Sequence, residues 1–176
     1  MANKQALREL QTRLADRLQA ARTQPTGQSW LAVECRGLGL LLPLDQAGEI
    51  FAPVPLLTVA HTLPWFAGVA NLRGGLHGVV DLGRFLGLPD APAQDSGREQ
   101  ARLIAFGAPL GLNCALLVDR LAGLRASDQL QREATVAAGE RPAFAASGWH
   151  DTEGRRWQAL DLAALARDAR FLAIVA

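Results

Sequence analysis

Three histidines (His61, His77, His150), two cysteines (Cys35, Cys114) and two carboxylates that open apolar turns (Asp81, Asp161) are the groups best suited to chemistry in this 176-residue chain. Their spacing argues against most of it. No His or Cys pair stands at the i, i+4 or C-x-x-C separation that lets one helix or loop hold zinc, so neither a metal centre nor a cofactor is expected. Gly37-x-Gly39 and Gly74-Gly75 lack the Lys-Ser/Thr, or the long helix, that turns a glycine loop into a phosphate cradle. Ser29, Ser96, Ser127 and Ser147 have no nucleophile-elbow surroundings. Asp81 and Asp161 could form an acid–base pair, yet each is accounted for alone as a helix cap. Trp30, Trp65, Trp149 and Trp157 have no basic groove beside them, so they read as core or rim residues and not as base-stacking platforms. What remains is recognition. Arg73 sets a rigid planar fork at a hairpin corner, suited to a bidentate pair with a partner's carboxylate.

The elements that position these residues read mostly as strands. Residues 64–88 form a strand, a Gly-rich hairpin, a return strand and a short helical turn. The run 69–73 is extended, and Gly74-Gly75 supplies the reversal because glycine enters positive φ without a Cβ penalty. Residues 76–80 return, and Asp81 caps a turn over 82–86. Upstream, 30–34, 38–44 and 48–51 are short apolar runs punctuated by Gly and Pro, the pattern of strands. Downstream, strands are expected over 102–106, 110–118, 121–125, 144–149 and 156–160. A helical turn capped by Ser127 falls at 127–130, a loop at 134–142 and a last helix at 161–169. Residues 89–97 make a polar, Pro-bearing connector. Over 3–23, Leu7, Leu10, Leu14 and Leu18 recur at helical spacing and define an amphipathic helix, followed by a linker at 24–27.

Two faint repeats run through the chain. Leu31, Leu38, Gly39 and Leu40 match Leu103, Leu110, Gly111 and Leu112 at an offset of 72 residues, and Val80-Asp81-Leu82 matches Leu160-Asp161-Leu162 at an offset of 80. Such self-similarity suggests two β-rich halves built on one plan. With 49% apolar and 20% charged residues and a net charge of +1, the chain has a globular balance and lacks the bulk positive charge that nucleic acid would favour. Both cysteines lie in expected strands and read as buried thiols, which the cytosol would keep reduced. No apolar window reaches the roughly 20 residues of a membrane span. The N-terminus spreads its charges rather than setting them before an apolar block, unlike a secretory signal, and the expected location is cytoplasmic.

The stretch GVANLRGGLHGVVDLGRFLG, with Asn71-Leu72-Arg73-Gly74 followed by Val80-Asp81-Leu82, resembles the signature of the CheW-like family, the coupling adaptors of bacterial chemosensory systems. The resemblance runs over 30–86 and more weakly over 102–165; Gly78 stands where the family often has proline. It implies a mainly β fold of two pseudo-repeated, five-stranded SH3-like barrels sharing a core. The CheW-like domain would cover 29–176, with a first barrel at about 29–88 and a second at about 98–170, after an N-terminal helix and linker over 1–28. It also implies a non-catalytic adaptor with two partners: the regulatory domain of a CheA-like histidine kinase and the cytoplasmic tip of a methyl-accepting chemoreceptor. Asn71, Leu72, Arg73, Val79 and Phe85 are then candidate anchors, and Ala47 and Glu49 fall where the family meets the receptor tip. The segments ALRELQTRLADRLQAA and ARFLAIV further resemble the adaptors of type IV pilus (twitching) systems, which implies polar arrays. A flagellar coupling protein, a small-molecule-binding β-barrel module and an enzyme with unrecognised residues are the alternatives. Self-association stays open.

Overall fold

The structure, a computed structural model, describes residues 28–90, 99–133 and 141–176. The expected helix over 3–23, most of the connector and most of the 134–142 loop lie outside the described residues. The apolar runs become strands β1 (Ser29–Cys35), β2 (Leu38–Pro43), β3 (Ala47–Phe51), β4 (Phe66–Leu72), β5 (Gly75–Asp81), β6 (Arg102–Phe106), β7 (Cys114–Val118), β8 (Arg120–Ala126), β9 (Leu130–Arg132), β10 (Ala145–Asp151) and β11 (Arg156–Leu160). Helices are short: α1 (Leu82–Phe85), α2 (Leu162–Leu165) and α3 (Ala169–Leu172). None of the described helices is long and apolar enough to cross a membrane.

Local chemistry explains most boundaries. Asp81 and Asp161 both cap, accepting from the N–H of Arg84 at 2.9 Å and of Ala164 at 3.0 Å. The single helix expected over 161–169 is broken in two, because Asp168 starts α3 with a cap of its own. Ser127 does not cap its turn; instead Gln129 Oε1 accepts from the N–H of Ala126. The strand expected from residue 110 begins at Cys114, since Pro109 and the left-handed Gly111 shape a 3₁₀ turn ahead of it.

The strands form a six-stranded sheet, ordered β8-β1-β2-β11-β10-β9, and a five-stranded sheet, ordered β3-β6-β7-β5-β4. They do not divide into 29–88 and 98–170. The β1–β2 hairpin pairs with β8 and, in parallel, with β11, whereas β6 and β7 join β3, β4 and β5. Each repeat therefore lends its first hairpin to the other repeat's sheet. The short turn in which the Gln46 N–H bonds the Pro43 carbonyl carries the chain from one sheet to the next.

This exchange follows from burial on both faces. Leu31, Val33, Leu40 and Leu42 meet Val80, Ile104, Leu116 and Val118 in a layer shared by the two sheets. Their alternate neighbours, Trp30, Ala32 and Leu41, pack with Trp157 behind the six-stranded sheet, and Leu103 and Ala115 pack with Val79 behind the other. A strand apolar on both sides needs two layers to cover it. The repeat at offset 80 keeps these faces: Val80 and Leu160 both look into the shared layer. The repeat at offset 72 does not, because Leu31 faces the shared layer and Leu103 the opposite one. A one-residue slip exchanges the faces of a strand, and the neighbouring register, which sets Leu31 against Ile104, restores them. Gly39 is needed for close approach: a Cβ there would lie 2.8 Å from the Trp157 ring.

Candidate partner-docking surface

The β4–β5 corner is Arg73-Gly74, not Gly74-Gly75. Leu72 pairs with Gly75, and Arg73 and Gly74 have φ of 50° and 85°. Two positive φ values in succession make the turn whose twist matches its strands. Arg73 thus sits in the left-handed region at a cost of roughly 1–2 kcal/mol, and Asn71 Oδ1 steadies the corner by accepting from the Gly74 N–H at 2.8 Å. Arg36-Gly37, between β1 and β2, repeats the geometry with φ of 50° and 83°. The environments are opposite. Arg36 folds inward, donating to the Leu88 carbonyl at 2.7 Å and to Asp81 at 3.1 Å, in a space that Gly83 leaves open.

Arg73 projects outward with 76% of its side chain exposed, and it meets Glu49 at 2.8 Å. Glu49 lies on β3, at the far end of the sheet from β4. That contact is possible because the sheet curls until its two ends meet, as in a barrel. So exposed a pair contributes about 1 kcal/mol or less to folding, which leaves both charges available to a partner. Ala47, the first residue of β3, is half-buried opposite Phe106.

The remaining sequence-predicted anchors do not join this surface. Leu72, Val79 and Phe85 are only 3%, 0% and 4% exposed. Leu72 and Val79 sit behind the five-stranded sheet, and Phe85 sits in the shared layer. Apolar residues do flank the corner, but they are ones the sequence reading passed over: Leu76 opposite Asn71, Leu57 bridged to Val69, and Ile50 beside Glu49. Counting by twos from Val80 assigns Leu76 to the shared face, yet the side chain is exposed. Gly78, between them, gives the pattern no apolar continuity.

The pseudo-equivalent corner at β10–β11 is Asp151-Thr152-Glu153-Gly154. Gly154 again has positive φ, and Asp151 Oδ1 accepts from the N–H groups of Glu153 and Arg155. The hydrogen bond from the Trp157 indole, at 2.9 Å, holds the Asp151 carboxyl below its usual range. Glu153 stands 80 residues after Arg73, at the matching place before the corner glycine.

The histidines remain apart. His61 lies in the loop before β4, His77 Nδ1 is 3.0 Å from the Gly75 carbonyl, and His150 Nε2 is 3.6 Å from Glu133. Among the described residues no three His, Cys, Asp or Glu gather as metal ligands would. Burial pushes both cysteine thiols up to about 12, with Asp119 adding to the shift at Cys35. Thiolate is the reactive form, so iodoacetamide at pH 8 is expected to modify neither cysteine in the folded protein and both in denaturant. Mass spectrometry checks this; labelling of the native chain at a free-thiol rate would contradict it.

A profile of the CheW-like domain matches residues 29–170. Protein PilI of Pseudomonas aeruginosa is 31% identical over 104 residues, which cover 58% of this chain and 56% of that protein, so the match spans little more than half of either. The scaffolding protein TtCheW of Thermoanaerobacter tengcongensis superposes with a TM-score of 0.66 at 16% identity, over 84% of this chain and 97% of that one. Its fold, two facing β-sheets with few short helices, is the one described above. The chain belongs to the CheW-like domain family.

Proposed function

We propose that this chain is a non-catalytic adaptor coupling a chemoreceptor to a histidine kinase in a bacterial chemosensory array, of the kind that controls type IV pilus twitching. Membership of the CheW-like family over 29–170 carries the reading. The likeness to PilI favours the pilus branch over the flagellar one. The partners are the regulatory domain of a CheA-like kinase and the cytoplasmic tip of a methyl-accepting receptor, met in the cytoplasm at polar arrays. The exposed corner of Arg73, Asn71 and Glu49, bordered by Leu57 and Leu76, has the make-up of a docking patch: an arginine anchor on apolar ground.

The test is capture of a cognate kinase regulatory domain and a receptor-tip fragment by the full chain. Arg73→Glu is expected to weaken capture by about 2 kcal/mol, roughly 30-fold. Circular dichroism should stay unchanged and the melting temperature should fall by less than about 4 °C, since only a surface pair is lost. Capture of neither partner by the unaltered chain would overturn the adaptor reading, and unchanged capture by the variant would remove Arg73 from the interface. A fluorescent fusion is expected at the poles; diffuse signal with normal twitching would count against the pilus assignment.

A further inference from the structure

The face of the six-stranded sheet that meets the shared layer runs on past the end of that layer. Leu31 pairs with Leu42 on one side and with Leu124 on the other, and side chains directly opposite one another share a face. Leu31 and Leu42 are buried in the shared layer, yet Leu124 is 61% exposed. One step along, the Leu44 N–H donates to the Ser29 carbonyl at 3.0 Å and continues the β1–β2 ladder. Leu44 follows Leu42 by two residues and so keeps that face, and it is 41% exposed. Leu44 and Leu124 thus flank β1, two strand spacings or about 10 Å apart across the sheet, where the chain enters it at Gln28.

Just ahead of Gln28 comes an apolar stripe that needs cover. Residues 3–23, outside the described residues, carry Leu7, Leu10, Leu14 and Leu18 at helical spacing. As a helix that stripe is about 16 Å long, enough to cross both exposed leucines. Only residues 24–27 separate the segment from Gln28, so its end stays within about 17 Å of the entry point. A tether this short raises the effective concentration of the stripe at the rim. Charge agrees. The segment holds five basic residues (Lys4, Arg8, Arg13, Arg17, Arg22) and two acidic ones (Glu9, Asp16), a surplus of three. Bordering the rim are Asp45, next to Leu44, and Asp128, just after β8, both exposed. Arg125 turns to the opposite face of the sheet, over Trp157.

We propose that residues 3–23 dock on this rim of their own chain, the leucine stripe covering Leu44 and Leu124 and the basic positions facing Asp45 and Asp128. The docking does not depend on the adaptor reading. A seated segment closes the rim to outside partners.

Photo-crosslinking of the full chain tests it. Benzophenone maleimide on Ala126→Cys, which lies between the two leucines opposite Ser29, reports what sits over the rim, and the buried Cys35 and Cys114 stay unlabelled. Irradiation is expected to join position 126 to a peptide within 3–23, in a product that runs as a single chain. Leu10→Ser/Leu14→Ser keeps the tether but breaks the stripe, and should cut that yield at least about fivefold. Independently, Leu44→Asp/Leu124→Asp alters two exposed positions. It should speed tryptic cutting after Arg13 and Arg17 at least about fivefold while leaving the circular dichroism of the strands unchanged. A dominant two-chain product would assign the rim to a second copy and overturn the proposal. Crosslinks that avoid 3–23, or yields and cutting rates indifferent to the substitutions, would overturn it equally.

Discussion

Phe85→Ala is expected to destabilise the protein by about 3–5 kcal/mol, lowering the melting temperature by about 6–20 °C. Phe85 stands where the shared layer is most aromatic. Its ring meets Trp65 edge-on at 5.2 Å and Phe171 edge-on at 5.1 Å, and lies 5.7 Å from Phe144. Phe171 in turn stacks on Phe106 at 5.9 Å, so α1, α3 and β6 are tied through one cluster. Truncation leaves a void that this layer cannot fill without moving both sheets. The substitution also separates two roles for the residue. A surface anchor truncated to alanine would lose partner capture at unchanged stability; a core residue loses stability first. Thermal denaturation of the variant decides, and a melting temperature within 2 °C of the parent would return Phe85 to the surface.

The second large effect concerns Glu34, the one charged residue among the described residues that is buried. Its carboxylate accepts from Arg120 through Nε and Nη2, both at 2.7 Å, and forms an ion pair with Arg155, whose guanidinium lies 4.5 Å above the Trp157 ring. The arrangement is asymmetric, because the two arginines keep 48% and 39% side-chain exposure while Glu34 keeps 10%. Removing Glu34 frees arginines that can turn to water. Removing both arginines strands a carboxylate in the barrel wall. The double variant Arg120→Ala/Arg155→Ala is therefore expected to cost about 3–5 kcal/mol, clearly more than Glu34→Leu, and adding Glu34→Leu to it should recover much of the loss. Urea denaturation of the three variants measures this; equal losses for the two deletions would refute the asymmetry.

The same carboxylate predicts a pH dependence. Burial pulls the Glu34 pKa upward, but hydrogen bonds from Arg155 and Arg120 outweigh it and hold the value below the ordinary 4.5. A carboxylate lowered on folding adds stability above its unfolded pKa and loses it as the pH falls through the folded one. The urea midpoint should thus fall as the pH drops below about 4.5, and Glu34→Leu should flatten that slope. A slope identical in parent and variant would assign the acid sensitivity elsewhere.

Much of this was legible before any coordinates. Strand positions followed from short apolar runs broken by Gly and Pro, because those residues end strands for reasons local to the backbone. Asp81 and Asp161 were readable as caps, since a cap needs nothing beyond three residues away. The motif around Asn71-Leu72-Arg73-Gly74 was enough to point to the CheW-like family. Inside and outside were less legible. On β5, Val79 and Val80 point to opposite faces and both are buried, so alternation carries no sign of which face meets a partner. Val79 was misplaced for that reason; Leu72, on β4, and Phe85, on α1, are buried behind the five-stranded sheet and in the shared layer by contacts that only the tertiary structure brings together.

The sequence by itself determined most strand positions and the caps at Asp81 and Asp161, because those depend on residues near in the chain; the Arg73-Gly74 and Arg36-Gly37 corners and the Asp168 cap were read from the structure. Tertiary structure alone decided that the repeats exchange their first hairpins, because the pairing of β2 with β11 and of β5 with β7 joins residues far apart in the chain. It also decided the fate of the two corner arginines. Arg36 and Arg73 share one backbone conformation, yet the fold sets Asp81 and the Leu88 carbonyl before the first and only the half-exposed Glu49 before the second. Turn conformation depends on neighbours in sequence, whereas burial depends on what the rest of the chain brings opposite.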